Sequence, residues 1–283
     1  MILRLFIILV TAVELAIYLF HVVHFNTKHD MDITWHGPIP YCSVLIYNPY
    51  RRWEAWRYIT YMFVHIGISH FVFNMIMQIV VGVFLEMEQE GWKGSIKTGI
   101  VYFSGVIAGS LGQSLTEPGI YIAGASGGVY ALIAAHLATV ILNWKEDDEI
   151  QTPKKVIHFG LVKWIRVVFI SVLVIFDTTT QVLGHLGYLE GDNNTSVMGH
   201  LCGALAGLTV GIFVLDNRRA EYWESWVRWI SLSVFILMVI FAILWNIWAN
   251  DWMCDSNNLY CIYPEPDYDV INDKLGNCPH YEA

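Results

Sequence analysis

Seven long apolar stretches constrain this chain more than anything else in it. They run approximately over Ile2–Val23, Ser69–Met87, Gly99–Gln113, Ala123–Asn143, Ile165–Leu189, Val197–Leu215 and Trp229–Ala249. Helices of about 20 apolar residues match the ~30 Å hydrocarbon core of a bilayer and satisfy their own backbone within it. Charged residues are only 14% of the 283, against roughly 25% in soluble domains. The expected fold is therefore all-α, a polytopic membrane helix bundle. The third stretch is short and the fifth carries Asp177, so their ends are the hardest to place.

The first stretch is too long for the 7–15-residue core of a signal peptide and no small-x-small cleavage site closes it. It is expected to be an uncleaved signal anchor with no sizeable cytosolic domain ahead of it. With the N-terminus in the cytosol, Arg4, Lys93, Lys97, Lys145, Lys154, Lys155, Lys163, Arg166, Arg218, Arg219 and Arg228 fall inside. Only Lys28, Arg51, Arg52, Arg57 and Lys274 fall outside, so the positive-inside rule favours this orientation, with the C-terminus outside. Cys42, Cys254, Cys261 and Cys278 then face the oxidising side, with three possible pairings, while Cys202 lies in a span. The Asn193 and Asn194 sequons share that side, in a loop too short for efficient glycosylation. The expected organisation is a first span in 1–25, an outer loop in 26–68, five further spans in 69–215, a cytosolic loop and seventh span in 216–249, and an acidic cysteine-containing tail in 250–283. Much of the net charge of −9 sits in that tail, which reads as a solvated segment and not as a nucleic-acid surface. The partner implied so far is the lipid bilayer, with no nucleic acid, cofactor or metal expected.

In this topology the second, fourth and sixth spans all begin at the outer leaflet, and each carries its polar residues near its start. His70 and Asn74 open the second, Ser126 the fourth and His200 the sixth. Ionisable and polar groups inside a membrane are costly and mark function by default. Gly124-Ala125-Ser126-Gly127-Gly128 has the small neighbours of a nucleophile motif, although a membrane helix follows in place of the strand–helix elbow of soluble hydrolases. Gly199, Gly203, Gly207 and Gly211 form a small-residue ladder beside His200, and the fourth span presents Gly124, Gly127, Gly128, Ala131, Ala135 and Ala138 on overlapping faces. Small faces let two helices approach closely in lipid, which brings Ser126 to His200 as nucleophile and base. A packing ladder with an incidental histidine is the plainer alternative; the matched depth of serine and histidine favours catalysis. His70 and Asn74, one helical turn apart, with the Ser126 backbone N–H, are the expected oxyanion donors. Tyr130, one turn after Ser126, is expected to pack on the His200 ring and orient it without a carboxylate. Asp177 is the one candidate third member, at a depth that suits a structural role equally well.

These residues resemble the rhomboid family of intramembrane serine proteases over about residues 50–215. Glu54-Ala55-Trp56-Arg57 is similar to the family's Trp-Arg motif in a membrane-dipping first loop. His70-Phe71-Val72-Phe73-Asn74 is similar to its His-x-x-x-Asn, with Glu86 at the end of the second span. Gly124-Ala125-Ser126-Gly127 resembles the nucleophile motif and Gly199-His200-Leu201-Cys202-Gly203 the base motif. The added seventh span, with Tyr61-Met62-Phe63-Val64-His65 and Ala204-Leu205-Ala206-Gly207-Leu208, resembles the animal secretory-pathway branch. The resemblance implies a six-span core plus one C-terminal span, a Ser126–His200 dyad, and oxyanion donors at His70, Asn74 and Ser126. It also implies single-pass membrane substrates cut near their outer end, growth-factor precursors among them, and residence in Golgi, endosome or plasma membrane. The rival within the family is a catalytically inactive client-binding protein; both reactive residues, and Ala125 where a proline would disturb the motif, argue for activity. A channel would spread its polar groups across the membrane. A metalloprotease built on His65, His70, His200 and Glu86 lacks a His-Glu-x-x-His, and no calcium loop is evident.

Overall fold

The computed structural model describes residues 5–29, 32–40, 43–89, 91–143, 156–185, 197–216 and 222–253. Among these, seven long helices follow one another: α1 (Phe6–His29), α2 (Gly67–Glu88), α3 (Lys93–Thr116), α4 (Ser126–Leu142), α5 (Val156–His185), α6 (Val197–Val214) and α7 (Tyr222–Met253). Short turns over Pro49–Arg51, Arg57–Thr60 and Tyr61–Phe63 punctuate the loop between α1 and α2. The described residues contain no strand, only an isolated bridge between Tyr47 and Ile122. The segments Phe6–His24, Gly67–Glu88, Val197–Val214 and Tyr222–Trp248 are each long and apolar enough to cross a membrane, and α4 is a shorter apolar helix. The molecule is an all-helical polytopic bundle.

The helix ends depart from the apolar stretches for a common reason. α3 extends beyond the short run at 99–113 because Thr98 and Ser114 are buried against neighbours. A polar residue facing a protein partner is read from sequence as the end of a span, when it lies inside the helix. α5 starts nine residues ahead of Ile165, and the side chain of Asp177 lies outside the described residues. So do Cys42, Cys254, Cys261, Cys278, Asn193, Asn194 and the tail beyond Met253.

α4 is the hub: Gly127, Gly128, Val129 and nearly every residue to Leu142 are buried. It packs on α3 and α6, with α2 and α5 touching it less extensively; α1 lies across α2 and α3, and α7 across α6 and α3. The outward faces are apolar, as lipid contact requires, with Val168, Val172, Ile175 and Phe176 on α5 and Trp229, Leu237 and Phe241 on α7 exposed. Glu86, buried near the end of α2, accepts hydrogen bonds from the Phe6 N–H (3.2 Å), the Ile7 N–H (3.3 Å) and the Ser95 hydroxyl. A carboxylate there satisfies orphan donors at the head of α1 and complements its dipole. At the same end, Lys97 pairs with Asp216 and Arg166 with Glu88.

The α1–α2 loop is fixed at the other end of the bundle. Arg57 is buried, pairs with Glu54, and donates to the carbonyls of Ser43 (3.0 Å) and Ile46 (2.7 Å). The Thr60 hydroxyl donates to the Leu45 carbonyl (2.8 Å), and the Ser110 hydroxyl of α3 to the Tyr58 carbonyl (2.8 Å). Buried carbonyls of irregular backbone must find such partners within the protein. In the Trp-Arg motif, Arg57 thus holds this loop in shape, and Trp56 Nε1 adds a bond to the Val44 carbonyl (3.3 Å).

Candidate active site

The site is built where the chain turns into α4. Tyr47 and Ile122 exchange backbone hydrogen bonds at 3.1 and 3.3 Å, the Gly124 N–H donates to the Tyr61 carbonyl (3.1 Å), and the Ala125 N–H to His65 Nε2 (3.4 Å). Gly124 has φ +118°, a conformation closed to most L-residues. A Cβ on it would stand 2.5 Å from the His70 ring, so the glycine also makes room for that imidazole. Ser126 is the first residue of α4, and its N-cap, Ala125, offers no side-chain acceptor to the first turn. The N–H groups at the head of a helix carry its positive dipole end, which suits a developing negative charge.

α6 crosses α4 directly below this turn. A Cβ at Gly203 would meet the Gly127 carbonyl oxygen at 2.4 Å, and one at Gly207 the Ala131 carbonyl oxygen at 2.1 Å. At Gly211 the nearest atoms, Ala135 Cα and Ala138 Cβ, stand off at 3.3 Å. The two helices thus approach most closely at Gly207 and Gly203 and stand further apart at Gly211. α3 joins them: a Cβ at Gly105 would strike Ala131 Cβ at 2.3 Å, one at Gly109 would lie 3.1 Å from the Gly199 carbonyl oxygen, and one at Gly112 would strike Cys202 Sγ at 2.3 Å.

His200 lies in the first turn of α6 and is buried. Its ring stacks on Tyr130, with centroids 4.4 Å apart and planes inclined by 14°. Tyr130 stands one turn below Ser126 on the same face of α4, so this stacking places the imidazole on the serine's side of the crossing. Asn74 is buried on α2, and its Nδ2 donates to the His70 carbonyl (2.9 Å). An amide has a second N–H, so this bond leaves one donor for another acceptor. The structure thus gathers Ser126, His200 and Tyr130 at one crossing, with His70 against Gly124.

Glu86 is engaged at the head of α1, and so stands apart from His65, His70 and His200. His65 itself is a loop residue that takes the Ala125 N–H and lies 5.6 Å, ring to ring, from His70. Burial first, and then the neighbouring His70 ring, push its pKa well below the usual histidine range, which keeps Nε2 available as an acceptor. Sequence reasoning noticed His65 without finding this role. Nor did it find Tyr61, whose carbonyl holds Gly124 and whose hydroxyl donates to the Val106 carbonyl (2.8 Å). Their one signal was the run Tyr61-Met62-Phe63-Val64-His65, which has no helical or strand period.

These features define a polytopic helical membrane protein whose central helix begins at a serine, with a histidine of the crossing helix stacked on Tyr130 one turn further along. The chain belongs to the rhomboid family: the Rhomboid domain matches residues 52–217. It is 34% identical to human Rhomboid-related protein 3 over 244 residues, covering 86% of this chain and 56% of that protein. It is 33% identical to mouse Rhomboid-related protein 2 over 249 residues, covering 87% and 76%. It is also 28% identical to the Inactive rhomboid-related protein 2 of Caenorhabditis elegans over 229 residues, covering 80% and 59%. The chain thus spans little more than half the length of some relatives it matches.

Proposed function

We propose that this protein is an intramembrane serine endopeptidase that cleaves single-pass membrane proteins near the outer end of their spans. The observation that carries the reading is the α4–α6 crossing, which joins the Ser126 turn to His200 through Gly203 on Gly127 and stacks the histidine on Tyr130. Ser126 Oγ attacks the scissile carbonyl as its proton passes to His200. His70, Asn74 and the Ser126 N–H donate to the oxyanion, such donors often being worth ~2.7–4 kcal/mol each. The tetrahedral intermediate collapses to an acyl-enzyme as His200 returns the proton to the leaving amine. Water, deprotonated by His200, then releases the acid and regenerates the serine. Tyr130 orients the imidazole in the place a carboxylate takes in a triad.

In the orientation that the charges favour, this site faces the outer leaflet; the family resemblance supports a membrane of the secretory route, with growth-factor precursors as one substrate class. One relative is named as inactive; the presence here of both Ser126 and His200 favours cleavage. The test is release of ectodomains from a panel of single-pass proteins co-expressed with wild type or Ser126→Ala. Release by wild type that falls to the background with Ser126→Ala supports the reading. Equal release by both overturns it, and client relocation without cleavage identifies the trafficking alternative.

A further inference from the structure

A second polar cluster lies away from the serine. Glu14 of α1, Gln78 of α2 and Tyr102 of α3 are each 0% exposed. The Tyr102 hydroxyl oxygen lies 2.9 Å from Glu14 Oε1 and 2.8 Å from Gln78 Oε1. Gln78 Nε2 lies 2.6 Å from Glu14 Oε2 and 2.9 Å from Thr11 Oγ1. The groups bonded to the Glu14 carboxyl carry no positive charge, so a carboxylate there would be buried without a counter-ion.

The proton count decides the charge. Tyr102 has one hydroxyl hydrogen for two oxygen neighbours, so with Glu14 ionised one close oxygen–oxygen contact contains no proton. Turning the Gln78 amide over does not help. Tyr102 is then satisfied from both sides, but Gln78 Oε1 faces Glu14 Oε2 at the 2.6 Å separation, again with no proton between them. One added proton on Glu14 resolves either arrangement. In the first, Glu14 donates to Tyr102, Tyr102 to Gln78 Oε1, and Gln78 Nε2 to Glu14 Oε2. The circuit is closed and every member is satisfied, which a low-dielectric interior demands.

The ring also reaches the serine helix. A Cβ on Gly128 would lie 2.5 Å from Tyr102 Cε2, so the tyrosine ring lies against the backbone of the first turn of α4, two residues after Ser126. We propose that Glu14 is a protonated, uncharged acid closing a hydrogen-bonded ring with Gln78 and Tyr102, and that this ring positions the Ser126 turn by seating Tyr102 under Gly128. Glu14, Gln78 and Tyr102 are positioning residues; none transfers a proton to substrate. The role in catalysis rests on the protease reading, whereas the protonation state does not.

The test uses the full chain in lipid nanodiscs, with Glu14→Gln, Glu14→Asp and Tyr102→Phe beside wild type. The wild-type minus Glu14→Gln infrared difference spectrum at neutral pH is expected to show the C=O stretch of a protonated carboxylic acid. Carboxylate bands in its place overturn the proposal. Glu14→Gln, whose N–H replaces the acid O–H, is expected to keep kcat within about two-fold. Glu14→Asp and Tyr102→Phe, which break the ring, are expected to lower kcat about ten-fold with KM little changed, as misplaced catalytic groups do. Glu14→Gln losing as much as Glu14→Asp also overturns the proposal. If wild type cleaves nothing, the protease reading fails alone. The infrared result, with resistance to unfolding retained by Glu14→Gln and lost by Tyr102→Phe, still decides the ring.

Discussion

Gly207→Ala puts the α4–α6 crossing under a measured load. The added Cβ would stand 2.1 Å from the Ala131 carbonyl oxygen and 2.4 Å from Ala131 Cα, where side-chain carbons in folded proteins keep at least 3.0 Å. Both obstacles are backbone and cannot rotate away, so the helices must part by about 0.9 Å, the difference between 3.0 and 2.1 Å. Overpacking of this kind costs about 1–3 kcal/mol. Gly207 lies seven residues, about two turns, below His200 on α6, so the displacement reaches the histidine while Ser126 stays with α4. A shift near 1 Å between nucleophile and base costs up to about 10²-fold in rate, and a 10–100-fold fall in kcat is expected. Gly211→Ala is the internal control. Its Cβ meets Ala135 Cα and Ala138 Cβ at 3.3 Å, which a few tenths of an ångström relieve, so its kcat is expected within about three-fold of wild type. Cleavage of a single-pass substrate in proteoliposomes, with unfolding of each variant followed in mixed micelles, gives both numbers. Gly211→Ala as damaging as Gly207→Ala, or Gly207→Ala as active as wild type, would refute the reasoning.

Two further outcomes follow from single contacts. Gly124→Ala forces a Cβ into φ +118° and to 2.5 Å from His70, and is expected to cut cleavage at least about 100-fold while costing about 1–3 kcal/mol of stability; half or more of wild-type activity would sink that account. Glu86→Ala strips acceptors from the Phe6 and Ile7 N–H groups and from Ser95, and is expected to lower unfolding free energy by about 2–4 kcal/mol in micelle titrations; an unchanged unfolding curve would show that the α1 cap contributes nothing.

Much of this was legible in the sequence because helices write their contacts periodically. Gly203, Gly207 and Gly211 recur every fourth residue, and so predict which face of α6 meets Gly127 and Ala131. Tyr130 follows Ser126 by one turn, and the ring-on-ring contact with His200 follows from that spacing. The loop was not legible in the same way. Arg57, Tyr61 and His65 act through individual bonds to backbone groups distant in the chain, and no period links such partners. The ends of α3 were obscured because buried polar residues imitate span ends, and its glycines at 105, 109 and 112 passed unnoticed with them. Glu14 was missed for another reason. One acid in an apolar stretch gains meaning only when Gln78 and Tyr102, from two other helices, are seen to share its proton.

The anchoring of the segment ahead of Ser126 has a consequence for how the protein folds. Ile122, Gly124 and Ala125 take their hydrogen-bond partners from Tyr47, Tyr61 and His65, so the serine's setting is borrowed from a stretch synthesised well before it. A fragment beginning at α2 retains every helix of the serine–histidine crossing yet leaves those backbone groups without partners. Association of the spans is therefore not enough to shape the turn at Ser126; the first loop must also be docked against it.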